Sequence, residues 1–196
     1  MSTTRRDSVT TRTRTAVLAA ASELLLDRGV GAVTIDAVVQ RSGVARSTIY
    51  RHWPTRADVV AATVDGLIHP PPPVPPPGPL VERLNAVCAP VVDAVSDPNY
   101  ARLASAVLGE ISLDPDLRGF RERFAAAQTA PVRTVLADAV AQGELPADTD
   151  IDEAVSLLVG PVIVHCVLQG RVPGQRLVQQ TIEGFVRSRA TSARVP

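Results

Sequence analysis

The chain predicts an all-α fold of about nine helices in two unequal parts. Three observations carry this. Apolar residues recur at helical rather than strand spacing along most of the sequence. Hydrophobic residues make up 45% of the chain and aromatics only 3%, so the core must be built from Ala, Val, Leu and Ile, which suits helix-on-helix packing better than an aromatic-rich sandwich. Proline and glycine fall between the periodic stretches, and few segments alternate as strands do.

Residues 1–12 are mostly Ser, Thr and Arg, which predicts a mobile arm. A first helix follows from Thr13 to Asp27–Arg28, with Val17, Ala20, Ala21, Leu24 and Leu25 along one face and Gly29 and Gly31 as its stop. Its apolar stretch VLAAASELLL is interrupted by Ser22 and Glu23 and is too short for a membrane span or a signal-peptide core. Thr34 is positioned to cap a second helix, with Asp36 near its positive end and Ile35, Val38 and Val39 facing inward. Gly43 permits a tight turn into a third helix, Ala45–His52, held by Val44, Ile49 and Trp53 and stopped by Pro54. Thr55-Arg-Ala-Asp58 has the spacing of a capping box and opens a fourth helix, continued by Val59, Val60, Thr63, Val64 and Leu67.

The sharpest boundary is His69-PPPPVPPPGP, in which eight of the ten residues from Pro70 to Pro79 are proline. No helix survives that density, and a stiff polyproline II connector is expected. Helical periodicity resumes at Leu80. The punctuation at Asp97-Pro98, Asp114-Pro115, Gly143 with Pro146, and Gly170 with Pro173-Gly174 cuts it into helices near 79–95, 98–111, 115–142, 150–169 and 174–190. Pro131 could break the third of these, and Gly160-Pro161 should bend the fourth. The domain division on these grounds is 1–66, a connector 67–79, and 80–196.

Charge follows the same division. Residues 1–66 hold nine arginines and six acids, an excess of three positive charges, whereas 67–196 hold eleven arginines and fourteen acids. A basic N-terminal third on a neutral chain suggests a polyanion-binding module joined to something else. All twenty basic residues are arginine, a bias that reads as base composition of the coding sequence rather than function. Cys88 and Cys166 fit no metal spacing and no disulfide framework, which points to a reducing, cytoplasmic setting.

Two short helices joined by a glycine turn form a helix-turn-helix, whose second helix enters the major groove while the first crosses the backbone. Reading that groove calls for a bidentate donor, hydroxyls for phosphates, and small residues allowing close approach. Ala45, Arg46, Ser47, Thr48, Tyr50, Arg51 and His52 supply such a set, with Ile49 turned inward.

The pattern Gly29…Thr34-Ile35…Ser42-Gly43-Val44…Thr48-Ile49-Tyr50-Arg51-His52-Trp53…Arg56-Ala57-Asp58-Val59 resembles the N-terminal domain of the tetracycline-repressor (TetR) family, over roughly Thr13–Leu67. The resemblance implies a DNA-binding head joined through its fourth helix to an all-helical domain that binds a small-molecule effector and dimerises. The dimer would repress transcription from an inverted-repeat double-stranded operator until the effector releases it. It further implies that Thr34, Tyr50, His52 and Arg56 hold phosphates and that Arg46, Ser47 and Thr48 meet base edges; Arg12 and Arg14 either reach a minor groove or phosphates from the arm or are merely solvated. Arg56 stands where the family usually has lysine, Trp53 where it has phenylalanine, and Ala45 where many members have a capping serine.

The last two helices are more apolar than lone surface helices need. The resemblance implies that they pair with their copies in a homodimer through Ile151, Val155, Leu158, Val162, Cys166, Leu177, Val178, Ile182 and Phe185. Asn85, Cys88, Tyr100, Arg102, Glu110, Phe120, Phe124, Gln128 and His165 are the candidate effector contacts. No cofactor, metal or catalytic residue is expected: no HExxH, GxSxG, P-loop or GxGxxG occurs, and His52, His69 and His165 form no ligand set. That leaves a helical enzyme and a sequence-tolerant DNA-binding protein as the rival readings. The second conflicts with the zero net charge and the acidic remainder of the chain.

Overall fold

The computed structural model of the chain describes residues 3–68, 70–95, 97, 100, 103, 105, 109–111 and 113–192, and every regular element among them is helical. In chain order these are α1 (Thr3–Arg28), a 3-10 turn (Val30–Ala32), α2 (Ile35–Ser42), α3 (Arg46–His52), α4 (Arg56–Leu67) and α5 (Leu80–Val95). A second 3-10 turn (Pro115–Leu117) leads into α6 (Arg118–Ala141). α7 (Ile151–Ile163) passes into a π-helical turn (Val164–Leu168), and α8 (Gln175–Ser192) closes the chain. Most of the helix expected near 98–111 lies outside the described residues, though Tyr100, Leu103, Ser105, Gly109, Glu110 and Ile111 are helical.

The arm expected over residues 1–12 is instead helical from Thr3 onward. No proline or glycine occurs between Thr3 and Arg28, so a helix nucleated by the buried Val17–Leu25 stripe can propagate backward, each residue adding one backbone hydrogen bond. α6 runs through Pro131 without a break. In α7 the expected bend takes the form of the π-helical turn just beyond Pro161. Proline has no N–H to donate back along the helix, and the register widens there. The Val164 N–H is shared between the Gly160 and Pro161 carbonyls, and Gln169 N–H reaches Val164 O at 3.1 Å.

The chain divides into two compact units, and the division is not the contiguous one its sequence suggests. The first unit comprises Met1–His69 together with Arg102–Glu122, and the second comprises Pro70–Ala101 with Arg123–Pro196. In the first, α1 packs on α2 and α4, and α2 on α3. Val17, Ala21, Leu24, Leu25, Val38, Ile49, Val59, Val60 and Val64 form its aliphatic core. Leu103, Ile111, Leu117 and Phe120 of the returning segment are buried as well. In the second, α8 packs on α5 and α7 over a core of Leu84, Val87, Val135, Leu136, Ala139, Ala154, Leu158 and Ile182. Among the described residues of this unit, Arg83 is the buried arginine, and it pairs with Glu144. Gln175 at the start of α8 donates to Asp93 of α5 at 2.9 Å. Among the described residues, no helix is long and apolar enough to cross a membrane.

Candidate nucleic-acid interface

The helix-turn-helix is fixed by local bonds that its sequence specifies. Thr34 is extended and its hydroxyl accepts the Ala37 N–H at 3.2 Å, satisfying a donor that the start of α2 leaves open. Gly43 takes φ 69, a conformation other residues rarely adopt, and its N–H caps Val39 O at 3.0 Å. Ala45 at the head of α3 supplies no side-chain cap, as the missing hydroxyl requires; one residue earlier, Ser42 Oγ accepts the Val44 N–H at 3.2 Å and steadies the turn. At α4 both halves of the capping box form, with Asp58 N–H donating to Thr55 Oγ1 at 3.1 Å and Thr55 N–H to Asp58 Oδ2 at 3.0 Å.

These constraints aim α3 with one face in and one out. Ile49 is fully buried and Trp53 nearly so, while Ala45, Arg46, Ser47, Tyr50 and Arg51 are exposed and Thr48 and His52 half-buried. Tyr50 stands out, with 43% of its surface exposed although it is a large aromatic. The Arg46 guanidinium is paired with Asp36 of α2, but both side chains are mostly exposed, so the pair contributes at most about 1 kcal/mol and can be exchanged for a better acceptor. Arg41 ties α2 to α1 through Glu23 at 3.4 Å and Asp27 at 3.8 Å. Arg14 lies on α1 with its guanidinium 5.2 Å from the centre of the Trp53 ring, and His52 meets the same ring edge-on at 5.7 Å. Among the described residues His52 Nε2 is buried without a hydrogen-bond partner.

Arg56 is bonded within its own unit. Its Nε donates to Val33 O at 2.9 Å, Nη2 to Val30 O at 2.8 Å, and Nη1 to Asp114 Oδ2 at 2.7 Å. Three of the five guanidinium N–H donors are thereby engaged within its own unit. The Arg56 bond in turn holds the Asp114 carboxyl below its ordinary range. Sequence reasoning missed Asp114, which reads locally only as the Asp-Pro start of a turn, and Asp36, which reads only as a favourable charge in a first turn.

The expected effector contacts are divided between the two units. Glu110 and Phe120 belong to the first unit, where the Glu110 carboxylate accepts the Gly31 N–H at 3.2 Å and Phe120 is buried. Arg102 lies outside the described residues. The remaining six fall in the second unit. There Asn85 donates to Val81 O of its own helix at 2.9 Å, and Cys88 sits in the aliphatic core, where burial pushes its thiol up to about 11. Tyr100, Phe124, Gln128 and His165 are half-buried. Among the described residues no group of His, Cys, Asp and Glu could hold a metal ion.

Most of the residues expected at the dimer interface are also core residues of the second unit. Val155, Leu158, Val162, Val178, Ile182 and Phe185 are buried in the core of their own protomer, and Ile151 and Cys166 pack against it. Leu177 is half-buried. The apolar stripe read from α7 faces inward, and a second, outward stripe of Leu157, Val164 and Leu168 remains exposed.

An all-helical chain whose firmly capped helix-turn-helix presents arginine, hydroxyl and tyrosine side chains outward is a helix-turn-helix DNA-binding protein. Comparison with known proteins narrows the class. Residues 17–63 match the model of the bacterial regulatory proteins of the tetR family, and residues 74–184 match the tetracyclin repressor-like C-terminal domain. The chain is 27% identical over 188 residues to the HTH-type transcriptional regulator YdeS of Bacillus subtilis, covering 92% of both chains. It is 30% identical over 174 residues to the HTH-type transcriptional regulator Rv1556 of Mycobacterium tuberculosis, covering 88% of this chain and 85% of that one. Among solved structures, the flavonoid-responsive regulator FrrA superposes with a TM-score of 0.67 at 20% identity, over 92% of this chain and 96% of the other. The chain belongs to the TetR family of transcriptional regulators, as the residues of its helix-turn-helix already implied.

Proposed function

We propose that this regulator is a repressor that binds an inverted-repeat operator as a homodimer and leaves it when a small molecule occupies the second unit, with no catalytic step. The observation that carries the DNA-reading part is the outward face of α3, where Arg46, Ser47, Tyr50 and Arg51 are exposed around the buried Ile49. Arg46, with Ser47 and Thr48, reads base edges, since an exposed guanidinium can bond guanine in bidentate fashion once it leaves Asp36. Tyr50, Arg51, His52 and Thr34 hold phosphates, and Ala45 allows close approach. Pairing of two copies through the outward Leu157, Val164 and Leu168 stripe covers apolar surface that a monomer leaves wet, and gives the two-fold symmetry an inverted repeat requires. A regulator of this kind works in the cytoplasm on the nucleoid.

Selection from a library of randomised duplexes tests the reading. A two-fold symmetric consensus whose half-sites lie about one helical turn apart or a multiple of it supports it. Recovery of unrelated sequences with no consensus contradicts it and favours sequence-tolerant binding.

A further inference from the structure

We infer that Glu110 and Asp114 are positioning residues for DNA binding, acting on the α2 end of the head from a segment that in sequence belongs to the C-terminal domain. The turn they act on is Gly29–Val33, which joins α1 to α2 and delivers the chain to Thr34. It is held on both of its polar edges. On the donor edge, the Glu110 carboxylate accepts the Gly31 N–H at 3.2 Å. On the acceptor edge, Arg56 holds the Val30 and Val33 carbonyls at 2.8 and 2.9 Å, and Asp114 fixes that guanidinium at 2.7 Å.

The glycine at the bend serves the same contact. Gly29 has φ +83, and a Cβ there would lie 2.8 Å from Glu110 Oε2, so any side chain would both strain the backbone and displace the carboxylate. Residue 33 is followed directly by Thr34, whose hydroxyl caps α2. Loosening the turn therefore moves the first turn of α2 relative to α4. Residues 102–122 pack with the head although the C-terminal domain match runs over 74–184. The two carboxylates thus belong in sequence to the C-terminal domain match and in packing to the first unit.

The affinity effect rests on Thr34 being a phosphate contact, so the test has two arms. Hydrogen exchange in the full-length protein reads the positioning without DNA. Glu110→Ala and Asp114→Ala should speed exchange of the 30–37 amides about tenfold while the α1 and α4 amides stay protected, and Glu110→Gln, which keeps the acceptor oxygen, should restore most of the protection. Unchanged exchange at 30–37 overturns the inference, as does a uniform rise across the whole head. The second arm is a double-mutant cycle on the selected duplex with Thr34→Ala and Glu110→Ala. If Glu110 acts through Thr34, the two losses fail to multiply, and the double variant binds within about twofold of the weaker single variant. Fully multiplicative losses overturn the inference while leaving DNA binding intact. If no variant, wild type included, selects a duplex, the function proposed above fails and the exchange arm alone decides.

Discussion

The Asp114 carboxylate lies 2.7 Å from Arg56 Nη1, across 58 residues of sequence, and both side chains are about three-quarters withdrawn from solvent. The bond holds the Asp114 carboxyl below its ordinary value of 3.8. A carboxyl whose folded value is lowered stabilises the fold fully above the unfolded value and ceases to do so as pH falls through the folded one. Wild type should therefore melt above Asp114→Asn at neutral pH, and the gap should begin to narrow near pH 3.8 and close as the pH falls through the lowered folded value. Melting curves of the two proteins over that range check this, and a gap that persists in acid contradicts it.

Arg56 should not tolerate lysine. A guanidinium reaches two carbonyls and a carboxylate at once from three nitrogens, and an ammonium, with its donors on one nitrogen, cannot. Arg56→Ala leaves the Val30 and Val33 carbonyls short of a donor and should cost about 1–3 kcal/mol. Arg56→Lys should recover less than half of that. Urea unfolding measures both, and a fully stable lysine variant would show that the fork is not needed.

The capping box at α4 yields a smaller, local effect. Thr55→Ala removes the acceptor for the Asp58 N–H and should cost about 1 kcal/mol, while Thr55→Ser should be close to neutral. Chemical denaturation with circular dichroism reads it. A loss of several kcal/mol in the alanine variant would mean that the hydroxyl has a second role.

Two neighbouring leucines separate core from interface. Leu158 is 3% exposed and Leu157 is 48% exposed. Leu158→Asp should unfold the second unit, whereas Leu157→Asp should keep the melting profile of a folded chain and lower the mass in solution from dimer to monomer. Sedimentation and circular dichroism together decide the matter. A dimeric Leu157→Asp would remove that stripe from the interface.

These contrasts mark what the sequence makes legible. Thr34, Gly43, Thr55 with Asp58, and the proline run announce themselves because each acts within three or four residues of itself, through one hydrogen bond or one forced dihedral. The same holds for the inward turn of Ile49. Asp114–Arg56 and Glu110–Gly31 join residues 58 and 79 apart, and no local pattern encodes which distant loop returns to which. The apolar faces of α7 are illegible for a different reason. α7 is apolar on two faces, so periodicity alone could not tell the stripe that closes its own core from the one left outside. The N-terminal arm shows the limit of composition, which is blind to a helix propagating outward from an anchored end.

In the proposed function α3 reads sequence through Arg46. Repeating the duplex selection with Arg46→Ala tests it most directly. Loss of preference at one symmetry-related base pair per half-site, with about 1–3 kcal/mol of discrimination gone there and the other positions kept, is the predicted result. An unchanged consensus bound uniformly more weakly would place Arg46 on the phosphate backbone and contradict the account.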